Sequence, residues 1–243
     1  MDKNFAERLK NIINIKKELL NELEDNVFCA IAYGSAIGED FYCHSDYDIL
    51  IFLKRCSLNE FQKLKKIKQM FLCQKIRIDL NVHTINEIPI VRGRCFWHNN
   101  RSLYFQKEMI LYGITIIGKN PFAHNDFNEN DLRIESIRVV NSLLYQARKM
   151  LINKDINEAE KINLMKWCIY SVFYALSFKG IITKTKSEAF EIFPNYFSLN
   201  INPIIFLKAK QNNNVSEELI QKAYIFLEQL DSNLFEEYNN ARK

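Results

Sequence analysis

The chain has 243 residues, of which 48% are hydrophobic and 26% are charged, and these fractions exclude an intrinsically disordered protein. Its 6 glycines and 4 prolines are too few for a fibrous chain or a turn-dense β-sandwich. The net charge of +4 is too weak to indicate binding to a nucleic-acid duplex, and it fits an anionic small-molecule ligand as well as no charged partner.

The first part of the chain alternates between helical and strand patterns. Residues 5–23 have the spacing of an amphipathic helix, and the apolar runs 27–33 and 47–53 predict two buried strands. A helical stripe follows over 61–71, and alternation of apolar and polar residues over 76–83 predicts a strand with one apolar face. These elements predict an α/β domain, which we place at residues 1–122.

The character of the sequence changes after this domain. Residues 122–131 are polar and rich in asparagine, which is typical of a linker. From Leu132 onward all patterns are helical, which predicts a helical domain over residues 123–243. The predicted helices cover residues 132–153, 158–179, 187–193, 203–211 and 216–240.

The cysteines and the apolar runs indicate the cellular location of the protein. The 6 cysteines show neither a C-x-x-C pair nor the spacing of metal ligands, so reduced thiols are expected. The sequence opens without a signal-peptide pattern, and its uncharged apolar runs are far shorter than the roughly 20 residues that span a bilayer. These features predict a cytoplasmic protein.

Three aspartates are the strongest chemical signal. Asp46 and Asp48 open a buried strand and share one face of it, where like charges repel unless a cation lies between them. Mg²⁺ prefers such carboxylate oxygens together with substrate phosphates. Asp79 lies on the polar face of a later strand. If the two strands pair, the three carboxylates would converge and could hold two metal ions about 4 Å apart.

Gly34 and Ser35 follow the first strand and supply a second signal. Glycine lets the backbone approach a ligand closely, and the following amides and the serine hydroxyl can meet a phosphate. Each feature alone is typical of an ordinary turn or a solvated strand end. The combination of a strand, a Gly-Ser turn and three acids on two further strands predicts a nucleotide and metal site.

This pattern resembles the nucleotidyltransferase superfamily that includes DNA polymerase β and the aminoglycoside nucleotidyltransferases. The family pattern h-G-[GS], D-h-[DE]-h and a third acid is matched by Tyr33-Gly34-Ser35, Asp46-Tyr47-Asp48-Ile49 and Asp79. Among the members of this superfamily, the residues of these motifs are most similar to those of the streptomycin/spectinomycin adenylyltransferase branch. The resemblance implies an α+β fold, with an N-terminal nucleotidyltransferase domain built on a mixed sheet and a C-terminal helical bundle.

The resemblance also implies an activity and its residues. Asp46, Asp48 and Asp79 would bind two Mg²⁺ ions, and Asp79 would be a metal ligand or accept the proton of the attacking hydroxyl. Gly34 and Ser35 would bind the nucleotide, and Lys186, in a Lys-x-x-Ala segment, would contact the triphosphate. The enzyme would transfer a nucleoside monophosphate from an NTP, with ATP expected, to a small molecule. An aminoglycoside-like antibiotic is the suggested acceptor, which implies antibiotic resistance.

Other functions stay open at this stage. The acceptor could be a macromolecule, either RNA or a toxin protein, or the chain could be a degenerate member that binds nucleotide and regulates. The lysine-rich run 63–68 could attract nucleic acid, or it could be the solvated face of a helix. Residues 92–98 formally fit the R-x(4–6)-H signature of HEPN ribonucleases. The helical half has no histidine after His124, which disfavours such a nuclease there.

Overall fold

A computed structural model of the chain describes residues 3–38, 45–88, 102–125, 127–152 and 156–241. It divides the chain into two compact units, Met1–Asp126 and Phe127–Lys243. Within the described ranges, no helix combines the length and the apolar character needed to cross a membrane. The HEPN-like segment 92–98 lies outside these ranges.

The first unit is built on a four-stranded sheet with the order β3-β2-β1-β4. Strand β1 is antiparallel to both β2 and β4, whereas β2 and β3 run parallel, so the sheet is mixed as predicted. The elements of this unit are α1 (Lys3–Leu23), β1 (Val27–Tyr33), β2 (Tyr47–Leu53), α2 (Leu58–Cys73), β3 (Ile78–Thr84), α3 (Leu103–Leu111) and β4 (Ile114–Ile117).

Both faces of the sheet are covered by helices, which explains why β1 and β2 are apolar along almost their whole length. Ile49 and Ile51 belong to a core that includes Ile15 of α1 and Ile67 of α2. Leu50 and Phe52 point the other way, into a second core with residues of α3 such as Phe105 and Met109. The central strands are therefore anchored from two sides, which fixes the position of the residues at their ends.

Two details differ from the sequence-based expectations. Helix α3 was not predicted, because Tyr104, Phe105, Gln106 and Met109 are all buried and leave no amphipathic period to detect. The predicted linker 122–131 begins too early, since Phe122 is fully buried and its ring lies 5.8 Å from that of Phe52. Phe122 therefore belongs to the core of the first unit.

The second unit is entirely helical in its described residues, as predicted, and α5 lies at its centre. Helix α5 packs against α4, α7 and α8 and begins at a capping box formed by Asn157 and Glu160. The rings of Phe206 and Phe226, 5.2 Å apart, join α7 and α8 in the same core. The helices are α4 (Glu129–Ile152), α5 (Glu158–Phe178), α6 (Lys186–Ile192), α7 (Ile204–Asn212) and α8 (Glu217–Asn240).

Candidate functional site

Two of the predicted acids lie side by side on neighbouring strands. The parallel pairing of β2 and β3 places Asp48 opposite Asp79. The antiparallel pairing of β1 and β2 places Tyr33 opposite Asp48 on its other side. Partners in adjacent strands point to the same face of a sheet, so Tyr33, Asp48 and Asp79 form one polar row across three strands.

The predicted phosphate loop begins directly at the end of this row. Gly34 has a φ of +67°, a conformation that favours glycine, and it starts a 3₁₀ turn over Gly34–Ile37. A Cβ atom at Gly34 would lie only 2.8 Å from Asp48 Oδ2. The buried side chains of Ala36 and Ile37 hold the turn in place. The backbone of the Gly-Ser turn is therefore packed directly against the Asp48 carboxylate.

Asp46 precedes β2 and has a different environment. Arg77, just before β3, places its Nε atom 2.8 Å from Asp46 Oδ1. This oxygen is nevertheless buried without an aligned hydrogen bond among the described residues. The charge of the Asp46 carboxylate is therefore balanced by the Arg77 guanidinium, and a metal ion bound by this oxygen would compete with that ion pair.

Asp79 is more exposed than Asp46. The Nζ atom of Lys68, on α2, lies 3.7 Å from Asp79 Oδ1, and 61% of the Asp79 side chain is exposed. Lys66, in the same lysine-rich run, lies 2.5 Å from Glu22 of α1. Two lysines of this run are therefore paired with acids. These acids break up the positive charge that the run would otherwise present on the surface.

The donor set fits a hard divalent cation through two carboxylates. In the part of the chain that the structure describes, no three His, Cys, Asp or Glu side chains are grouped so that they could hold a metal ion. Of the predicted trio, Asp48 and Asp79 are adjacent in register, and Asp46 lies beside Arg77. Mg²⁺ usually takes only one or two protein carboxylates and completes its shell with water and phosphate, so the pair is sufficient.

Lys186, the remaining predicted residue, is the first residue of α6 in the helical unit. Burial and the positive charges of Lys186 and Lys166 lower the pKa of Lys210, which lies in the last turn of α7. Three lysines from three helices thus lie close enough to act on one another. Such a concentration of positive charge is suited to a polyanion.

Some residues of interest are not indicated by the sequence motifs. Arg77 and Asn81 lie two residues before and after Asp79, so the alternation of β3 places them on the same face and could have revealed them. No sequence signal links Lys210 to Lys186. His44, two residues before Asp46, and Trp97 lie outside the described residues.

Comparison with known proteins identifies the fold. No protein-family model and no curated protein sequence matches the chain. Ten chains of solved structures do match. One is spectinomycin adenyltransferase AAD(9) from Enterococcus faecialis, determined with ATP and spectinomycin, with a TM-score of 0.63 over 93% of this chain and 98% of that one. The sequence identity is 14%, and the predicted resemblance is confirmed at the level of the fold. The chain therefore has the fold of spectinomycin adenyltransferase.

Proposed function

We propose that this chain is a Mg²⁺-dependent nucleotidyltransferase that transfers AMP from ATP to a hydroxyl group of a small molecule. The observation that carries this proposal is the pair Asp48 and Asp79, in register on parallel strands and packed against the Gly34 turn. Like charges directly opposite each other destabilise a sheet, and a cation bound between them would offset that repulsion. The fold shared with an adenyltransferase supports the same class of reaction.

The roles of the residues follow from their positions. Asp46, Asp48 and Asp79 are proposed as the residues that would hold the metal ions, and bound Mg²⁺ would neutralise charge on the triphosphate. The Gly34 turn would present backbone amides and the Ser35 hydroxyl to a phosphate. We therefore propose the unit Met1–Asp126 as the nucleotidyltransferase domain, while the cytoplasmic location stays a prediction.

In this reaction one bond to phosphorus forms, another breaks, and one proton acceptor is needed. The acceptor's hydroxyl oxygen attacks the α-phosphorus of ATP in line, and an O–P bond forms as the bond from phosphorus to pyrophosphate breaks. Asp79 is proposed to take the hydroxyl proton, since its carboxylate is exposed enough to reach an acceptor. The products are pyrophosphate, the adenylylated acceptor and the proton that Asp79 has taken up.

An aminocyclitol or aminoglycoside antibiotic is the proposed acceptor, because the structural relative was determined with spectinomycin. The test is incubation of the purified chain with Mg²⁺ and α-labelled NTPs against spectinomycin, streptomycin, other aminoglycosides and tRNA. We expect label from ATP on one antibiotic and none on tRNA. Label only on tRNA would favour the RNA-directed alternative, and absence of label from every acceptor would contradict the enzyme proposal.

The lysines of the helical unit are proposed to bind the phosphates of ATP. Lys210→Ala is expected to raise the KM for ATP about tenfold with little change in kcat, since a hydrogen bond to a charged group contributes about 1.5–3 kcal/mol. Lys186→Ala should act in the same direction. Lys208→Ala is the control, because Lys208 is exposed on the same helix and carries the same charge. Steady-state kinetics with varied ATP provide the measurement.

The stability of the Lys210 variant separates this role from a structural one. A lysine whose pKa is lowered on folding is disfavoured in its charged form, so Lys210 costs stability at every pH below its folded pKa. Lys210→Met, which keeps the apolar stem, should therefore raise the melting temperature at pH 7 while weakening ATP binding. A lower melting temperature together with an unchanged KM would contradict the proposal.

A further inference from the structure

We infer that Arg77 is a counter-ion that holds the Asp46 carboxylate and competes with a metal ion for it, and that Arg77 thereby sets the affinity of the site for divalent cations. This inference rests on the proposed function, and it assigns Arg77 as a positioning residue and not as a metal ligand. Three features support this role: the register of two strands, the distance between the two charges, and the exposure of the two side chains.

The contact between the two residues is set by the backbone of neighbouring strands. Tyr47 and Ile78 are partners in the parallel pairing of β2 and β3. Asp46 and Arg77 are the residues directly before them. The Tyr47 N–H donates to the Arg77 carbonyl oxygen at 2.8 Å, so the pairing of the backbones extends to Arg77. The starts of the two strands are thereby held side by side, and Arg77 Nε lies 2.8 Å from Asp46 Oδ1.

The ion pair lies next to the two adjacent carboxylates of the candidate site. Two residues further along the strands, Asp48 lies opposite Asp79. Side chains two residues apart in extended backbone share a face and are separated by about 7 Å. The positive charge of Arg77 therefore acts on a metal ion bound by this carboxylate pair as well as on Asp46, and like charges repel.

The ion pair is of a kind that a divalent cation can displace. The side chains of Arg77 and Asp46 are 57% and 37% exposed, and Asp46 Oδ1 has no aligned hydrogen bond within the described ranges. Exposed ion pairs contribute little to stability, because water competes for both charges. A doubly charged ion attracts a carboxylate more strongly than a single charge does at the same distance. The guanidinium is therefore expected to lower the metal affinity of the site without blocking metal binding.

The same ion pair compensates charge in the metal-free chain. Asp46 and Asp48 share one face at the start of β2, where their negative charges repel, and Arg77 offsets part of that repulsion. Loss of the arginine is expected to lower the thermal stability of the metal-free chain slightly and to leave Asp46 available to a metal ion. Stability and metal affinity should therefore change in opposite directions, which a merely structural role for Arg77 would not produce.

The test is the affinity of the full chain for Mn²⁺, measured by electron paramagnetic resonance without nucleotide. Arg77→Gln is expected to bind Mn²⁺ about fivefold more tightly than the wild type, a change that matches the loss of one exposed ion pair. Arg77→Lys keeps the positive charge and should bind Mn²⁺ within about twofold of the wild type. Lys54→Gln is the control for net charge and should bind like the wild type, because Lys54 is exposed and follows β2 at the end opposite to Asp46.

A double variant tests whether Arg77 acts through Asp46. Asp46→Asn removes the carboxylate that the arginine contacts, and this change alone is expected to weaken Mn²⁺ binding. In the Asp46→Asn background, Arg77→Gln should strengthen Mn²⁺ binding by less than about twofold, because no ion pair is left to release. An improvement of about fivefold in that background as well would show a general effect of charge and overturn the proposed competition for Asp46.

The remaining outcomes separate this role of Arg77 from the proposed activity. The role would be overturned by weaker or unchanged Mn²⁺ binding in Arg77→Gln, by equally tight binding in Arg77→Lys and Arg77→Gln, or by an equal gain in Lys54→Gln. Absence of Mn²⁺ binding in both the wild type and Arg77→Gln would overturn it too. Tighter Mn²⁺ binding in Arg77→Gln, together with nucleotide transfer to no acceptor, would contradict the proposed function and leave the role of Arg77 supported.

Discussion

Asp48→Asn is expected to abolish nucleotidyl transfer while the chain remains folded. The substitution keeps the shape of the side chain and removes the negative charge that lies between the Gly34 turn and Asp79. Charge stabilisation by a metal ion contributes several kcal/mol to the transition state, which corresponds to at least about 10³-fold in rate. The initial rate of pyrophosphate release, with ATP and acceptor at saturation, measures the effect.

The same substitution should raise stability, which distinguishes a functional carboxylate from a structural one. Relief of the repulsion between Asp48 and Asp79 is expected to increase the free energy of unfolding by about 0.2–1 kcal/mol in metal-free buffer. Asp25→Asn serves as the control, since Asp25 is an exposed carboxylate in the same unit. Wild-type activity in Asp48→Asn, or loss of activity together with loss of the fold, would contradict the proposed role.

Gly34→Ala should have the second largest effect. Alanine at a φ of +67° is strained by about 1–3 kcal/mol, and its methyl group would lie 2.8 Å from Asp48 Oδ2. Either the turn or the carboxylate must move, and a displacement of about 1 Å at a reacting centre can cost about 10²-fold in rate. We therefore expect kcat/KM for ATP to fall by about 10²-fold, as measured by steady-state kinetics.

Gly180→Ala separates backbone strain from displacement of the site. Gly180 also has a positive φ, +78°, but a Cβ atom there would meet nothing within 4 Å among the described residues. Both variants should lose a similar amount of thermal stability, and Gly34→Ala alone should lose most of its activity. Equal kinetic losses in the two variants would show that the contact between Gly34 and Asp48 has no role in the reaction.

The sequence predicts most of the fold because the apolar periods of its helices and strands are clear. Strands β1 and β2 are near-continuous apolar runs, and α1 and α8 are strongly amphipathic, so their positions agree with the structure. Helix α3 is not predicted from the sequence because its own buried residues lie on several sides of the helix. The sequence therefore shows no amphipathic period there. Phe122 is predicted to lie in a linker because the residues after it are polar, although its own ring is buried.

The sequence predicts the motifs that form the candidate site, but it does not predict the contacts between them. Alternation places Asp46 and Asp48 on one face, but the parallel register that sets Asp79 beside Asp48 depends on long-range pairing. The ion pair of Asp46 with Arg77 and the effect of Lys186 on Lys210 arise from tertiary packing and have no local signature. The positive φ of Gly34 could be anticipated from its place after a strand, whereas its contact with Asp48 could not.

The most direct measurement is the stoichiometry of the reaction of the purified chain with ATP, Mg²⁺ and spectinomycin. Mass spectrometry of the antibiotic and an assay of pyrophosphate would be made on the same samples. Adenylyl transfer predicts that the antibiotic gains one AMP group for each pyrophosphate released, and that neither product forms with Asp48→Asn. Release of phosphate or pyrophosphate while the antibiotic stays unmodified, or equal modification by wild type and Asp48→Asn, would contradict adenylyl transfer at this site.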